Sequence, residues 1–274
     1  MKIFIHPNSP FITTDTRTKR WAIPYHFECI NGRIGVLLEN NYQSLKNKSI
    51  LDVGSHTGIF SWAALQLGAK FVHGIDVEER TINRCMELFL EEEINPSSYI
   101  FQAENITNFL ERIDAKSFNT VFCFGVLYYM AEPLNLLKLM ARAAKETILI
   151  DTFTASYSAV QGKDAPEIYP HLTSQILNLP LVISCPTQSN KKDYNLPESF
   201  NRKGRSLSLI SLPTKAMLEL WFESLGLTWE QLDWSPHISR ACSFHDLLTP
   251  EQKITSHWAD VYASGIRVSY KLHV

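Results

Sequence analysis

The chain has 274 residues, 45% of them hydrophobic and 20% charged, with a net charge of −2 and a pI near 6.5. That length buries a core as one large domain or one elaborated domain, and the near-neutral balance excludes a globally basic nucleic-acid binder. Five scattered cysteines (Cys29, Cys85, Cys123, Cys185 and Cys242) form no C-x-x-C pair, so neither a disulfide framework nor a metal site is expected.

The N-terminus, MKIFIHPNSPF, has a short apolar start broken by His6, Pro7 and Asn8, with no signal-peptide core, and no run approaches a membrane span. A cytoplasmic protein is therefore expected. Residues 1 to about 20 carry Pro7, Pro10 and the basic patch TTDTRTKR, a loosely packed lead-in. RWAIPYHFECINGRIGVLLENN then turns apolar and predicts a helix over the mouth of a ligand site, with Arg20, Tyr25, His26 and Arg33 as polar handles. Tyr25 and His26 read equally well as part-buried packing residues.

Ile50 to Val53 is long enough for a buried strand, and Gly54 and Gly58 bracket a turn in which a Cβ would keep a ligand from the backbone. Ile59 to Leu67 has helical apolar spacing and ends at Gly68. Phe71 to Ile75 forms a second strand and delivers Asp76, followed by Val77, about twenty residues beyond the turn, where an acid meets ribose hydroxyls in a βαβ nucleotide site. A dinucleotide site needs G-x-G-x-x-G. Here the turn reads Asp52-Val53-Gly54-Ser55-His56-Thr57-Gly58, with an acid before the first glycine and His56 where a glycine would stand. Such a carboxylate repels a pyrophosphate but holds an ammonium group.

Thr81 to Glu92 is amphipathic, Asn95 to Ser98 breaks the chain, and Tyr99 to Phe101 is a short third strand. Glu104 or Asn105 at its carboxyl end is placed to read an adenine amino group; a solvated loop carboxylate is the alternative. Phe118 to Phe124 is a fourth strand left by Gly125 to Tyr129, Pro133 to Lys145 a helix, and Thr147 to Asp151 a fifth strand. This alternation predicts a Rossmann-like, doubly wound, mostly parallel α/β sheet.

From Ala155 to Ser206 the pattern fails, with five prolines, the polar cluster SNKKDYN and one helix candidate near Leu172 to Leu179. With Tyr157, Tyr169, Tyr194 and Phe200 inside it, a substrate-covering insertion is preferred to a disordered linker. Pro213 to Leu225 is an amphipathic helix ended by Gly226, Leu227 to Trp234 reads as a strand, and Gly265 to His273 alternates as a half-buried strand expected to pair antiparallel at the sheet edge. The expected organisation is a lead-in and cap over 1–44, a cofactor-binding core over 45–154, an insertion over 155–206 and the rest of the core over 207–274.

The Asp52 to Gly58 turn resembles the first motif of class I S-adenosylmethionine (SAM) methyltransferases, whose cofactor carries no phosphate. FNTVFCFGVLYYMAEPLNLLKLM, SLISLPTKAMLELWFESLGL and TPEQKITSHWADVYASGIRVSYK are similar to segments of the bacterial tRNA wobble-uridine carboxymethyltransferases, which use carboxy-SAM. The resemblance implies a SAM site formed by Asp52, Gly54, Ser55, His56, Gly58, Asp76, Val77, Glu104, Asn105, Gly125, Tyr128 and Arg267. Tyr128 and Arg267 match the tyrosine and closing-strand arginine that this family uses near the cofactor's extra carboxylate. The family's lysine in an R-K-G-P-F segment has no counterpart here, Lys19 and Arg20 standing only loosely in its place, and plain SAM is expected.

Transfer to a hydroxyl, amine or imidazole needs a base, for which Tyr129, His171, His26 and His237 are candidates. The expected function is methyl transfer to a small molecule. Two alternatives stand: modification of a tRNA uridine, favoured by the basic patches at Arg17 to Arg20 and Lys191 to Arg205, and a SAM-binding partner module without activity.

Overall fold

In the computed structural model, which describes residues 2–13, 27–160, 165–189, 196, 199–247 and 257–274, five strands pair in parallel and two more close one side. The strands β1 (Ser49–Val53), β2 (Phe71–Asp76), β3 (Tyr99–Ala103), β4 (Phe118–Phe124) and β5 (Ala144–Phe153) stand in the order β3-β2-β1-β4-β5. The order continues through β10 (Arg267–His273) to β9 (Thr228–Gln231), both antiparallel to their neighbours. The antiparallel C-terminal edge is thus made by two strands. β9 takes the outside, so β10 lies within the sheet, paired on both sides.

Helices cover both faces because residues of alternate parity along each strand are apolar. Toward one face project Ile50, Phe122 and Leu149, which pack with α2 (Phe27–Arg33), its π-helical continuation Ile34–Leu38, α3 (Ile59–Gln66) and α4 (Glu79–Glu91). Toward the other project Leu51, Val53, Val121, Ile148 and Tyr270, against α5 (Ile106–Arg112), α6 (Pro133–Ala143) and α9 (Lys215–Ser224). The short α1 (Pro10–Thr13) adds Phe11 to the first core. Helix α6 stops at Ala143, earlier than its apolar spacing suggests, because Ala144 already pairs with Phe118 and the sheet takes over the chain.

The span after β5 holds more regular structure than its prolines indicate. Beyond α7 (Ala165–Ile168) and α8 (Ser174–Leu177), β6 (Val182–Gln188) pairs antiparallel with β8 (Arg205–Pro213), whose other side takes the short β7 (Phe200–Arg202). β8 crosses residue 206, the boundary expected between the insertion and the rest of the core. Pro186 is tolerated because β6 is an edge strand, where a missing N–H costs no ladder bond. The β6–β8 pairing joins residues well apart in sequence, so local periodicity does not reveal it. A third core of Tyr128, Phe153, Val160, Leu172, Leu212 and Phe244 fastens the small sheet to the carboxyl ends of β4 and β5. Tyr25, His26, Lys19, Arg20, Tyr194, Lys191 and the 249–256 segment lie outside the described residues.

Strand order reverses between β1 and β4, and at such a switch point the loops leaving the two carboxyl ends diverge and open a crevice. The loop after β1 depends on glycine for packing. A Cβ on Gly54 would lie 2.0 Å from Val126 Cγ2, and one on Gly58 (φ +78°) would lie 2.4 Å from Cys85 Sγ and 2.8 Å from Phe89 Cε2. Where clearance for a ligand is the expected reason for these glycines, the structure gives a packing reason: α4 and the β4 loop press on the turn. Gly58→Ala is therefore expected to cost about 2 kcal/mol or more, from a left-handed φ plus overpacking. Urea denaturation measures it, and an unchanged midpoint would remove this account.

Candidate active site

Beyond β1 the chain turns so that the Gly54 and Ser55 N–H groups both donate to Ile75 O, at 2.8 and 3.0 Å, locking the turn to the end of β2. Asp76, at that end, accepts from the His56 N–H through Oδ2 and from the Glu78 N–H through Oδ1, each at 3.0 Å. His56 adopts φ +50°, a left-handed conformation that a glycine takes up more readily. Burial pushes the Asp76 carboxyl above the usual range, against those backbone hydrogen bonds.

Asp52 is 3% exposed and accepts a 2.6 Å hydrogen bond from Ser61 Oγ on α3. Burial pushes its carboxyl up to about 7. Ser55 Oγ is buried at the same turn with no hydrogen-bond partner among the described residues. Val77, just past Asp76, is 40% exposed. Two carboxylates at adjacent strand ends, neither ion-paired among the described residues, suit a cofactor with an ammonium group and ribose hydroxyls, and repel one with phosphates.

The two candidates beyond β3 carry structural duties. Glu104 is held by Arg112 and by Gln102 Nε2 at 2.6 Å. Asn105 caps α5, its Oδ1 accepting from the Thr107 and Asn108 N–H groups at 2.9 and 3.2 Å.

Across the switch point, the Gly125 N–H donates to Asp151 O on the neighbouring strand at 2.8 Å. Beside it lie Tyr128, 6% exposed, and an aromatic group. Tyr128 and Tyr129 have ring centroids 4.4 Å apart, Tyr128 meets Phe153 at 5.1 Å, and Phe153 stacks on Tyr157 at 4.0 Å. Of the expected bases, Tyr129 is half-buried here. His171 is solvent-exposed, and His26 lies outside the described residues. His237 packs against Trp234 and Trp258, and its pKa is lowered by burial and by the neighbouring His257.

Arg267 is not a solvated strand charge. It is 5% exposed and bonds the carboxylate of Asp151 through Nε and Nη2, both at 2.9 Å. Arg33 of α2 approaches the same carboxylate through Nε at 3.0 Å and Nη2 at 2.8 Å, and Ser269 Oγ donates to it at 3.0 Å. Burial by itself would raise the Asp151 carboxyl, but Arg267 and Arg33 outweigh it and hold it below the usual carboxylate range. In the sequence alone Asp151 reads only as a strand end and Arg33 as a polar handle on the helix over the ligand site. The available signal was an acid closing the apolar run TILID and an arginine inside the apolar run CINGRIGVLL.

A family model for a methyltransferase domain matches residues 44–197, more than half of the chain. The chain belongs to the methyltransferase domain family. It is a class I enzyme of that family with SAM as its cofactor. This methyltransferase is 28% identical over 152 residues to the tRNA U34 carboxymethyltransferase of Campylobacter hominis, covering 52% of the chain and 48% of the relative. It is 34% identical over 95 residues to the protein of the same name from Idiomarina loihiensis, covering 34% and 28%. The chain thus spans less than half the length of these curated relatives. Among solved structures, a SAM-dependent methyltransferase from Mesorhizobium loti superposes with TM-score 0.53 at 13% identity, covering 89% of this chain and 98% of that one. Magnesium protoporphyrin IX methyltransferase from Synechocystis PCC 6803, solved with bound S-adenosylhomocysteine (SAH), gives TM-score 0.51 at 13% identity, covering 90% and 81%. At such identities the likeness shows a shared fold.

The methyltransferase's buried ion cluster predicts a specific instability. Asp151→Asn would leave two buried guanidiniums without a counter-charge, at an expected cost of about 3–5 kcal/mol in denaturant unfolding. The Asp52 carboxyl has the opposite sign. Its folded pKa is raised, so its ionisation penalty grows as pH rises from the ordinary carboxylate value to about 7. Asp52→Asn should raise the melting temperature of the free protein at pH 8 and leave it unchanged near pH 3.5.

Proposed function

We propose that this methyltransferase moves a methyl group from SAM to a small-molecule acceptor that docks beside Tyr128 and Tyr129, beneath the elements spanning 155–206. The observation that carries this reading is the aromatic group of Tyr128, Tyr129, Phe153 and Tyr157 at the carboxyl ends of β4 and β5, next to Gly125. Rings of this kind hold a planar or apolar acceptor and exclude water, which is most of what an in-line displacement asks of a protein.

In this reading Asp52, with the backbone of Gly54, Ser55, His56 and Gly58, seats the amino-acid end of the cofactor. Asp76 takes the ribose hydroxyls, Val77 packs against the base, and the Glu104 and Asn105 segment meets adenine. Gly125 and Tyr128 line the methyl's path, and Arg267 stands behind them. SAM, when bound, supplies a methyl group on a sulfonium that leaves as a neutral thioether. Residues 1–44 act as the cap, and 155–206 as the substrate lid.

A second reading, modification of a tRNA uridine, is favoured by the names of the curated relatives and by Arg202, Lys203 and Arg205, all exposed at the β7–β8 hairpin. Filter binding separates the two: tRNA retention at low salt with a steep loss on adding salt supports the RNA reading, and no retention supports the small-molecule one. Native mass spectrometry of freshly purified protein is expected to find SAM or SAH; a retained cofactor heavier by a carboxylate would refute plain SAM.

Asp76→Ala is expected to weaken SAM binding at least tenfold, about 1.4 kcal/mol. Unchanged calorimetric affinity would sink the ribose role. Because only ionised Asp52 holds an ammonium, wild-type affinity for SAM should rise as pH is raised through about 7. A flat profile between pH 6 and 8 would remove Asp52 from the site.

A further inference from the structure

Ser61 is fully buried on α3, and its hydroxyl donates at 2.6 Å to Oδ2 of Asp52, nine residues earlier in the chain. A serine hydroxyl inside a helix usually turns back onto a carbonyl of the preceding turn. This one crosses to a strand. The Gly54–Gly58 turn, packed against Val126, Cys85 and Phe89, fixes where α3 starts and so brings Ser61 to the end of β1. The second carboxylate oxygen, Asp52 Oδ1, accepts no hydrogen bond from a described residue, and it is not among the sealed buried atoms that lack a partner. Oδ1 is therefore the oxygen still open to a ligand.

We propose that Ser61 is a positioning residue for the cofactor: by holding Asp52 Oδ2 it presents Oδ1 to the cofactor's ammonium group and keeps the carboxylate charged. This rests on the reading above in which Asp52 seats the amino-acid end of SAM. Little else among the described residues favours the charged form. Burial opposes it, and Asp76, facing Asp52 from β2, opposes it too. Arg33 on α2 favours it, but that guanidinium is committed to Asp151. Cys85 on α4 and Cys123 on β4 face Asp52 as neutral thiols, both raised by burial. The Ser61 hydrogen bond is the strongest influence on the side of the charge.

Neutral Asp52 offers an ammonium group a dipole in place of a charge. With the carboxyl at about 7, part of the free protein carries a proton there at neutral pH, and that proton leaves to solvent when the ammonium arrives. A hydroxyl donates more strongly to the ionised carboxylate than to the acid, so Ser61 lowers the pH at which the site becomes competent. Removing the hydroxyl raises the folded pKa, and the range in which the site is neutral then extends upward through neutrality. A residue that only fills space in α3 would change stability and leave that midpoint where it is.

The test titrates SAH, which has the same amino-acid end, into the full chain by calorimetry between pH 6 and 8.5, in two buffers of different ionisation enthalpy. Wild type is expected to gain affinity through about pH 7 and to release about half a proton at that pH. Ser61→Ala should move the midpoint up by about one unit, weaken binding at pH 7 about fivefold, raise the proton release toward one, and come within about twofold of wild type at pH 8.5. Ser61→Cys, near in volume and a weaker donor, should move the midpoint the same way by less, which keeps the test open if the alanine variant does not fold. Urea midpoints check folding. In an Asp52→Asn background, Ser61→Ala should change neither affinity nor proton release. A folded Ser61→Ala variant with the wild-type midpoint and proton release, or one that loses affinity equally at every pH, overturns the proposal. Asp52→Asn binding SAH as tightly as wild type at every pH would instead remove Asp52 from the site and overturn the cofactor reading.

Discussion

One carboxylate, that of Asp151, ties together parts of the chain that lie far apart in sequence. Its side chain holds Arg33 from the N-terminal helix and Arg267 and Ser269 from the closing strand, and its carbonyl oxygen receives the Gly125 N–H from the strand beside it. Tyr262, on α10 (Asp260–Ala263), adds its hydroxyl and stacks on Trp234 at 3.5 Å, whose indole N–H donates to Ser269. Partners supplied from 118 residues apart in either direction are aligned on one group, and buried ions tolerate little misplacement. The position of Gly125 and Tyr128 at the mouth of the site follows from this node.

Two chemically opposite regions result along the carboxyl edge of the sheet. On the β1 and β2 side stand Asp52 and Asp76, both raised by burial. On the β5 and β10 side stands the cluster with two guanidiniums for one carboxylate. Between them the loops after β1 and β4 touch, Val126 resting where a Gly54 side chain would be. A cofactor with a cationic amino-acid end and a ribose is suited to the acidic side.

The small sheet of β6, β8 and β7 is a tertiary addition to this edge. Its strands are half-exposed, with Val182 at 37%, Leu209 at 40% and Phe200 at 42%. Its attachment comes from Leu212 at the end of β8, from Leu172, and from the Ser211 hydroxyl, which donates to Ala131 O at 3.0 Å in the loop after β4. Movement of the small sheet would therefore be felt at Tyr128 and Tyr129.

The sequence by itself determined the nucleotide half-site. An apolar strand, a turn built on Gly54 and Gly58, a helix stopped at Gly68 and a second strand ending in Asp76 are local patterns, and Asp52 in front of the turn speaks against a phosphate ligand from chemistry alone. It also determined the alternation that makes the sheet parallel and the pairing sense of the closing strand. What only the tertiary structure decided depends on contacts between distant residues. The packing of the N-terminal helix and of Tyr262 over the face of β10, not a strand beside it, turned Arg267 from an edge charge into a buried one. The pairing of residues 182–188 with 207–213 made a sheet of a proline-rich span. The meeting of Arg33 with Asp151 depends on which face of the N-terminal helix lies against the sheet, and no local periodicity carries that information, because a single polar residue in an apolar run reads the same whether its charge is solvated or paired in the core.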